Sequence, residues 1–181
     1  MIDASQEQWE SNIRHTKNIV QIAHKHDVSV EAELGTIGGA EDLVSARKIL
    51  YTDPEAAQEF VERTGCDFLA VAIGTSHGAY KFAGKPKLRF NLIKEIKKRV
   101  NIPLVLHGAS VVPASLVTQA RHYGAKLPGV QGEPFSNIQK SIECGINKIN
   151  IDTDLRLAFA TAIRQAIQTR KDEIDPRHIL S

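Results

Sequence analysis

Residues 67–81 read Asp-Phe-Leu-Ala-Val-Ala-Ile-Gly-Thr-Ser-His-Gly-Ala-Tyr-Lys, and this stretch decides the fold. Its first part, Phe68 to Ile73, is an unbroken apolar run containing Val and Ile. Such a run suits a strand buried on both faces, as in a parallel sheet. It gives way abruptly to Gly74-Thr75-Ser76-His77-Gly78. In alternating β/α folds, the carboxyl end of a buried strand is where chemistry is placed. The same change recurs at Pro103-Leu104-Val105-Leu106-His107-Gly108-Ala109-Ser110. Two apolar strands that each finish in His-Gly are hard to explain by packing alone.

Working outward, helical and strand patterns alternate along the whole chain. Met1 to Ser5 reads as the tail of a strand. Ser5, with Gln8 three residues on, offers a capping box for a helix that carries Trp9, Ile13, Ile19, Val20 and Ile22 to about His26. Val28 to Leu34 is the next strand, with Glu31 and Glu33 on one face and Val30 and Ala32 on the other. Gly35 to Val44 reads as a loop carrying Glu41 and Asp42. Asp53-Pro54 opens a helix that Gly65 stops. After the strand at 66–73 and a loop over 74–86, Asn91 to Val100 is a helix burying Leu92, Ile93, Ile96 and Val100. A strand ends at His107, and a helix runs from Pro113 to about Tyr123. Gly124 to Pro134 is a loop. Phe135 to Glu143 is a helical turn or two. Ile146 to Ile151 is the last strand, Thr153 to Thr169 the last long helix, and Asp172 to Ser181 a polar tail.

Alternation of this kind predicts a parallel sheet with helices outside. Asp3, Glu33, His77, His107 and Asn150 with Asp152 each stand at the same place in their unit. A barrel brings such strand ends around one mouth, whereas an open doubly wound sheet spreads them along a line. A complete (β/α)8 barrel takes about 250 residues, and the chain has 181. The expectation is therefore a partial TIM barrel: a single domain over 1–181 running from the end of strand 4 to strand 8.

Composition narrows the function classes. A net charge of +2 gives no reason to expect nucleic acid or an acidic membrane surface. The apolar runs are strand-sized, so none is expected to span a membrane, and residues 1–5 do not read as a signal peptide. Cys66 and Cys144 have no paired spacing and read as reduced core residues, which points to the cytoplasm.

Two imidazoles with one or two carboxylates at one mouth match a catalytic zinc site, which has three protein ligands and an open position. The other five histidines, His15, His24, His26, His122 and His178, fall on helices or loops and read as solvated. The glycines and hydroxyls of the two His-Gly loops, among them Gly78, Gly108 and Ser110, could hold a phosphate through exposed N–H groups, with Lys81 adding charge. Asn150 inside an apolar strand has no capping explanation, whereas capping suffices for Thr153 or Asp154. Lys148 shares the face of Asn150, where a Schiff-base lysine would sit, but pairing with Glu31 or Glu33 is the simpler account.

Together, MIDAS (1–5), VEAELGTIGGAED (30–42), LYTDP (50–54), AVAIGTSHGAYK (70–81), LVLHGAS (104–110), INKINIDTDLRLAF (146–159) and DPR (175–177) resemble the class II, metal-dependent fructose-bisphosphate aldolases. The resemblance implies a carbon–carbon lyase of glycolysis and gluconeogenesis. Its reaction is reversible cleavage of fructose 1,6-bisphosphate to dihydroxyacetone phosphate and glyceraldehyde 3-phosphate. It implies Zn2+ on His77 and His107, with Glu33 near the metal and Asp3 at an alternative metal position. Glu41 is implied as the acid/base. Gly78, Gly108 and Ser110 are implied in the phosphate cradle, with a monovalent cation (Na+ or K+) beside it. Asn150, Asp152 and Thr153 are implied as substrate contacts, and Arg177 as the grip on the far phosphate. The implied partners are sugar phosphates and further copies of the chain, as a homo-oligomeric dimer or tetramer. Tagatose-bisphosphate aldolases are close relatives. The family's first strands, with a third zinc histidine, and its extreme C-terminal segment have no counterpart here. A half-barrel that works only with a partner chain therefore stands as the alternative reading.

Overall fold

A computed structural model describes residues 1–41, 44–46, 50–78 and 88–180, and for 38–41 and 44–46 it describes the backbone alone. Lys81 and Asp42 thus lie outside the described residues, as does the side chain of Glu41.

The principal sheet has four parallel strands in the order β1 (Glu31–Leu34), β4 (Phe68–Val71), β6 (Leu104–Leu106) and β7 (Ile146–Ile149). Ile2 adds an isolated parallel bridge to Ala32 on the outer side of β1, the one strand-like contact among residues 1–5. Helices α1 (Trp9–His24), α2 (Pro54–Thr64), α3 (Phe90–Arg99), α4 (Ala114–His122), α5 (Phe135–Cys144) and α6 (Thr153–Thr169) lie between or after the strands. This is the β/α alternation the sequence predicts.

The chain's apolar alternation sorts the two faces of the sheet. Leu69, Val71 and Ile73, with Leu104, Leu106, Ala32 and Ile146, join Phe60, Ile93 and Ile96 in one core between sheet and helices. Burying each large side chain there contributes roughly 1.5–3 kcal/mol. The intervening positions, Glu31 and Glu33, Ala70 and Ala72, Val105 and His107, belong to the opposite, inner face. A register irregularity between Leu104 and Val105 sets Lys148 opposite Val105 and Ile149 opposite Leu106. Lys148 and Asn150 consequently share the inner face with the carboxylates.

Local signals account for most boundaries. The Asp53 carboxylate accepts from the Glu55 and Ala56 amides at 3.0 and 2.9 Å, Pro54 occupies the first turn, and Gly65 closes the helix in a left-handed conformation. Lys97, Lys98 and Arg99 sit in the last turn of α3, where the helix dipole favours cations. Cys66 and Cys144 are buried and unlinked.

Four expectations are corrected. Ser5 does not cap α1: Gln8 occupies that position without a side-chain bond, and the Ser5 amide donates to Asp3 Oδ1 at 2.9 Å. The loop expected over 35–44 contains β2 (Gly38–Glu41), paired antiparallel with β3 (Val44–Ala46) and parallel with β5 (Ser76–His77). Phe135 begins a helix of 10 residues, longer than a turn or two. The polar tail contains a short helix, α7 (Pro176–Ile179), capped by Asp175.

Candidate active site

A cavity of about 240 Å³ opens at the carboxyl ends of the strands, lined by Ser76, His77, Gly78, His107, Gly108, Ser110, Asn150, Asp152 and Thr153 among others. Eight residues singled out in the sequence for metal or substrate therefore meet at one pocket: His77, Gly78, His107, Gly108, Ser110, Asn150, Asp152 and Thr153. The two His-Gly loops touch. Gly108 has φ 64°, and a Cβ there would fall 2.7 Å from the Ser76 carbonyl oxygen. Only a residue without a side chain lets the loops nest this closely.

The ring centroids of His77 and His107 are 6.0 Å apart, with an interplanar angle of 47°. His107 is clamped between two buried carboxylates: Nε2 lies 2.9 Å from Glu31 Oε1 and Nδ1 lies 2.8 Å from Glu33 Oε2. Glu31 also pairs with the Lys148 ammonium and accepts from the Asn150 amide at 2.8 Å. Burial opposes a charge on His107, yet the bonds to Glu31 and Glu33 outweigh it and raise its pKa to about 9. Burial likewise opposes the Glu31 carboxylate, but its bonds to His107 and Lys148 hold it down at about 2. Glu33 is pushed up, chiefly by burial and in part by the nearby Asp3 charge.

The sequence left Glu31 with only a salt-bridge role, yet it is the carboxylate on His107 Nε2. The signal was its shared strand face with Glu33, two residues on. Lys148 is engaged by Glu31, the simpler of its two accounts. Asp3 is exposed and holds the Ser5 amide, with its charge felt at Glu33. Arg177 is not among the pocket residues. It lies on α7 and makes a fork to Asp175, with N···O distances of 3.0, 3.1 and 2.5 Å. The Glu41 backbone ends β2, two residues beyond Gly39, whose register partner is His77. His24, His26, His122 and His178 are exposed and His15 is partly so, as expected.

Imidazole centroids 6.0 Å apart are within reach of one ion at Zn–N distances of about 2.0–2.1 Å. Among the described residues, no group of three or more His, Cys, Asp or Glu is gathered to hold a metal ion. His107 has a carboxylate at each ring nitrogen, so it can present a donor nitrogen to an ion only where Glu31 or Glu33 gives up its contact.

The family model for class-II fructose-bisphosphate aldolase matches residues 1–181. The chain belongs to this family. It is 45% identical over 183 residues to the fructose-bisphosphate aldolase of Helicobacter pylori (strain 26695), covering 100% of this chain and 60% of that protein. It is 49% identical over 182 residues to that of Thermus caldophilus, covering 99% and 60%. Among solved structures, the YdjI aldolase of Escherichia coli K12 aligns with a TM-score of 0.66 and 37% identity, over 98% of this chain and 52% of its own. A fructose-1,6-bisphosphate aldolase from Coccidioides immitis, titled putative, aligns with a TM-score of 0.69 and 27% identity, over 99% and 55%. The chain of this class-II aldolase family member thus spans a little over half the length of the relatives it matches. Its sheet is part of an aldolase TIM barrel, as the strand-end pattern predicts. The family is metal-dependent. No helix among the described residues is long and apolar enough to cross a membrane.

Proposed function

We propose that the chain forms, as one domain over residues 1–181, the second half of a barrel that cleaves fructose 1,6-bisphosphate reversibly to dihydroxyacetone phosphate and glyceraldehyde 3-phosphate. The observation that carries this reading is the pair His77 and His107 facing one pocket with Ser110, Asn150, Asp152 and Thr153. His77 and His107 would hold Zn2+, with Glu33 and Asp3 beneath or beside them. The ion would supply Lewis-acid polarisation of the ketone.

The remaining roles belong to the chain's own groups. With the ion bound, one of Glu31 and Glu33 would keep its bond to His107 and fix the ring's orientation while the other ring nitrogen turns to the metal. Asn150, within 2.9 Å of His107 Nε2, would orient the substrate's oxygens. Gly78, Gly108, Ser110, Asp152 and Thr153 would surround one phosphate, where the first turn of α6 presents the positive end of its dipole. A monovalent cation, Na+ or K+, would sit beside that phosphate. Glu41 would take and return the proton on the carbon next to the carbonyl. Lys81 and Arg177 would meet the phosphates. The Lys148–Glu31 pair supports a reaction without a covalent lysine intermediate. A cytoplasmic setting and a homo-oligomer belong to the same reading.

The test is retro-aldol cleavage of fructose 1,6-bisphosphate, and of tagatose 1,6-bisphosphate as the competing substrate, with and without chelator. Activity abolished by chelator and untouched by borohydride supports the reading. Chelator-resistant cleavage with borohydride trapping overturns it. A second reading, that the chain acts only with a partner chain, is favoured by the half-exposed Lys148 on the inner face of β7, which has no neighbour on its outer side among the described strands. Activity appearing only on addition of an N-terminal half-barrel would support it.

A further inference from the structure

We infer that Asp154 is a positioning residue for the Gly108–Val112 loop, holding the Ser110 corner of the pocket in shape. This rests on the phosphate reading of the pocket given above. Asp154 stands in the first turn of α6, where an acidic residue is ordinarily explained by the helix dipole. Its carboxylate does something further. Oδ2 accepts from the Val111 amide at 3.0 Å and Oδ1 from the Val112 amide at 2.7 Å. One carboxylate thus takes two successive backbone donors from another β/α unit, a charge-assisted arrangement stronger than neutral hydrogen bonds.

The loop needs such a clamp. Val112 has φ 50°, a left-handed conformation that is a genuine outlier for a β-branched residue. Strain of this kind persists only where the surroundings over-determine it. The other side of the loop is closed by Gly132, where a Cβ would fall 1.9 Å from the Val111 carbonyl oxygen, and by the Glu133 amide, which donates to the Ser110 carbonyl at 2.8 Å. The loop is therefore gripped between α6 and the segment before α5. What it presents to the pocket is Ser110, whose hydroxyl oxygen accepts from the Asp152 amide at 3.4 Å. Asp154 ties the two walls of the anion pocket, Gly108–Ser110 and Asp152–Thr153, into one rigid piece. Its negative charge is spent on the two amides, so they are not available to an incoming anion.

Two measurements test this on the whole chain. In amide hydrogen exchange, Asp154→Ala is expected to lose at least tenfold protection at Val111 and Val112 and to loosen Ser110. A residue serving only the helix dipole would instead fray the first turn of α6 and leave residues 110–112 unchanged, which would overturn the inference. In titration with inorganic phosphate, Asp154→Ala is expected to weaken binding at least tenfold. Asp154→Asn, which keeps one acceptor, is expected to recover part of that loss. Asp67→Ala removes a carboxylate that accepts the Val30 amide at 2.6 Å just before β4, at the opposite end of the strands, and is expected to stay within twofold of the parent. Equal losses in Asp154→Ala and Asp67→Ala would mean general loosening and would also overturn it. A parent chain that binds no phosphate refutes the phosphate reading, and the exchange data alone then decide the role of Asp154.

Discussion

At the scale of single residues, the Glu31 carboxylate meets His107, Lys148 and Asn150 inside the barrel wall. Removing one member of a buried ion pair costs about 3–5 kcal/mol when its partner is left unpaired; here His107 keeps Glu33 and Lys148 is half-exposed, so the lower end of that range is expected. Glu31→Gln should lower the thermal midpoint by about 10 °C on the usual scaling for a chain of this size. The pH dependence follows from the same pair. His107 is raised from 6.5 to about 9, so its contribution is complete below pH 6.5 and is lost as pH rises through about 9. Glu31 is lowered from 4.5 to about 2, so its contribution is complete above pH 4.5 and is lost as pH falls toward about 2. With chelator present, the thermal midpoint should peak between these limits, and Glu31→Gln should flatten the alkaline decline. A parallel decline in parent and variant would refute the clamp. The histidines and Asn150 were legible in the sequence because a polar residue closing an apolar strand has no packing explanation. The pairing of Glu31 rather than Glu33 with His107 Nε2 was not legible, because it depends on how the strands tilt against each other.

At the scale of elements, two substitutions should separate the loops from the helices. Gly108→Ala places a methyl in a left-handed position and 2.7 Å from the Ser76 carbonyl oxygen. It should cost about 2 kcal/mol or more and, by prising the two His-Gly loops apart, reduce metal binding as well as stability. Asp53→Ala removes a cap worth about 1 kcal/mol and should leave metal binding unchanged, as read by chemical denaturation and metal titration. Equal loss of metal in both would argue that the loops are not special. The contrast tracks what the sequence could reveal. Helix α2 carries its own start and stop in Asp53-Pro54 and Gly65, so its limits were readable. The β2–β3 hairpin was not, because Gly38-Gly39-Ala40 lacks both alternation and β-branched residues. Its strand character comes from pairing with β5, a contact from a distant part of the chain. α7 is only one turn, held by Asp175, below the length at which periodicity registers.

At the scale of the whole molecule, a sheet of four parallel strands ends in β7 with no neighbour among the described strands on its outer side. Unpaired strand edges and exposed apolar side chains are the usual templates for association. Helix α6 follows β7 and packs against α4 through its buried Thr161 and Ala166 side. Leu155 and Phe159, one turn apart on that helix, are each 62% exposed, and Ile151 before it is 46% exposed. Leu155 and Phe159 thus form an exposed apolar stripe on the helix that follows β7, with Ile151 between strand and helix. The 181-residue chain is therefore expected to self-associate in sedimentation velocity at micromolar concentration. It should bind zinc weakly, because two imidazoles fill only part of a catalytic shell. The double variant Leu155→Lys/Phe159→Lys should shift the distribution toward monomer without altering metal affinity, since neither residue lines the pocket. If instead the parent chain sediments as a single monomer with one tightly held zinc, neither the open edge nor the partial shell describes the protein in solution.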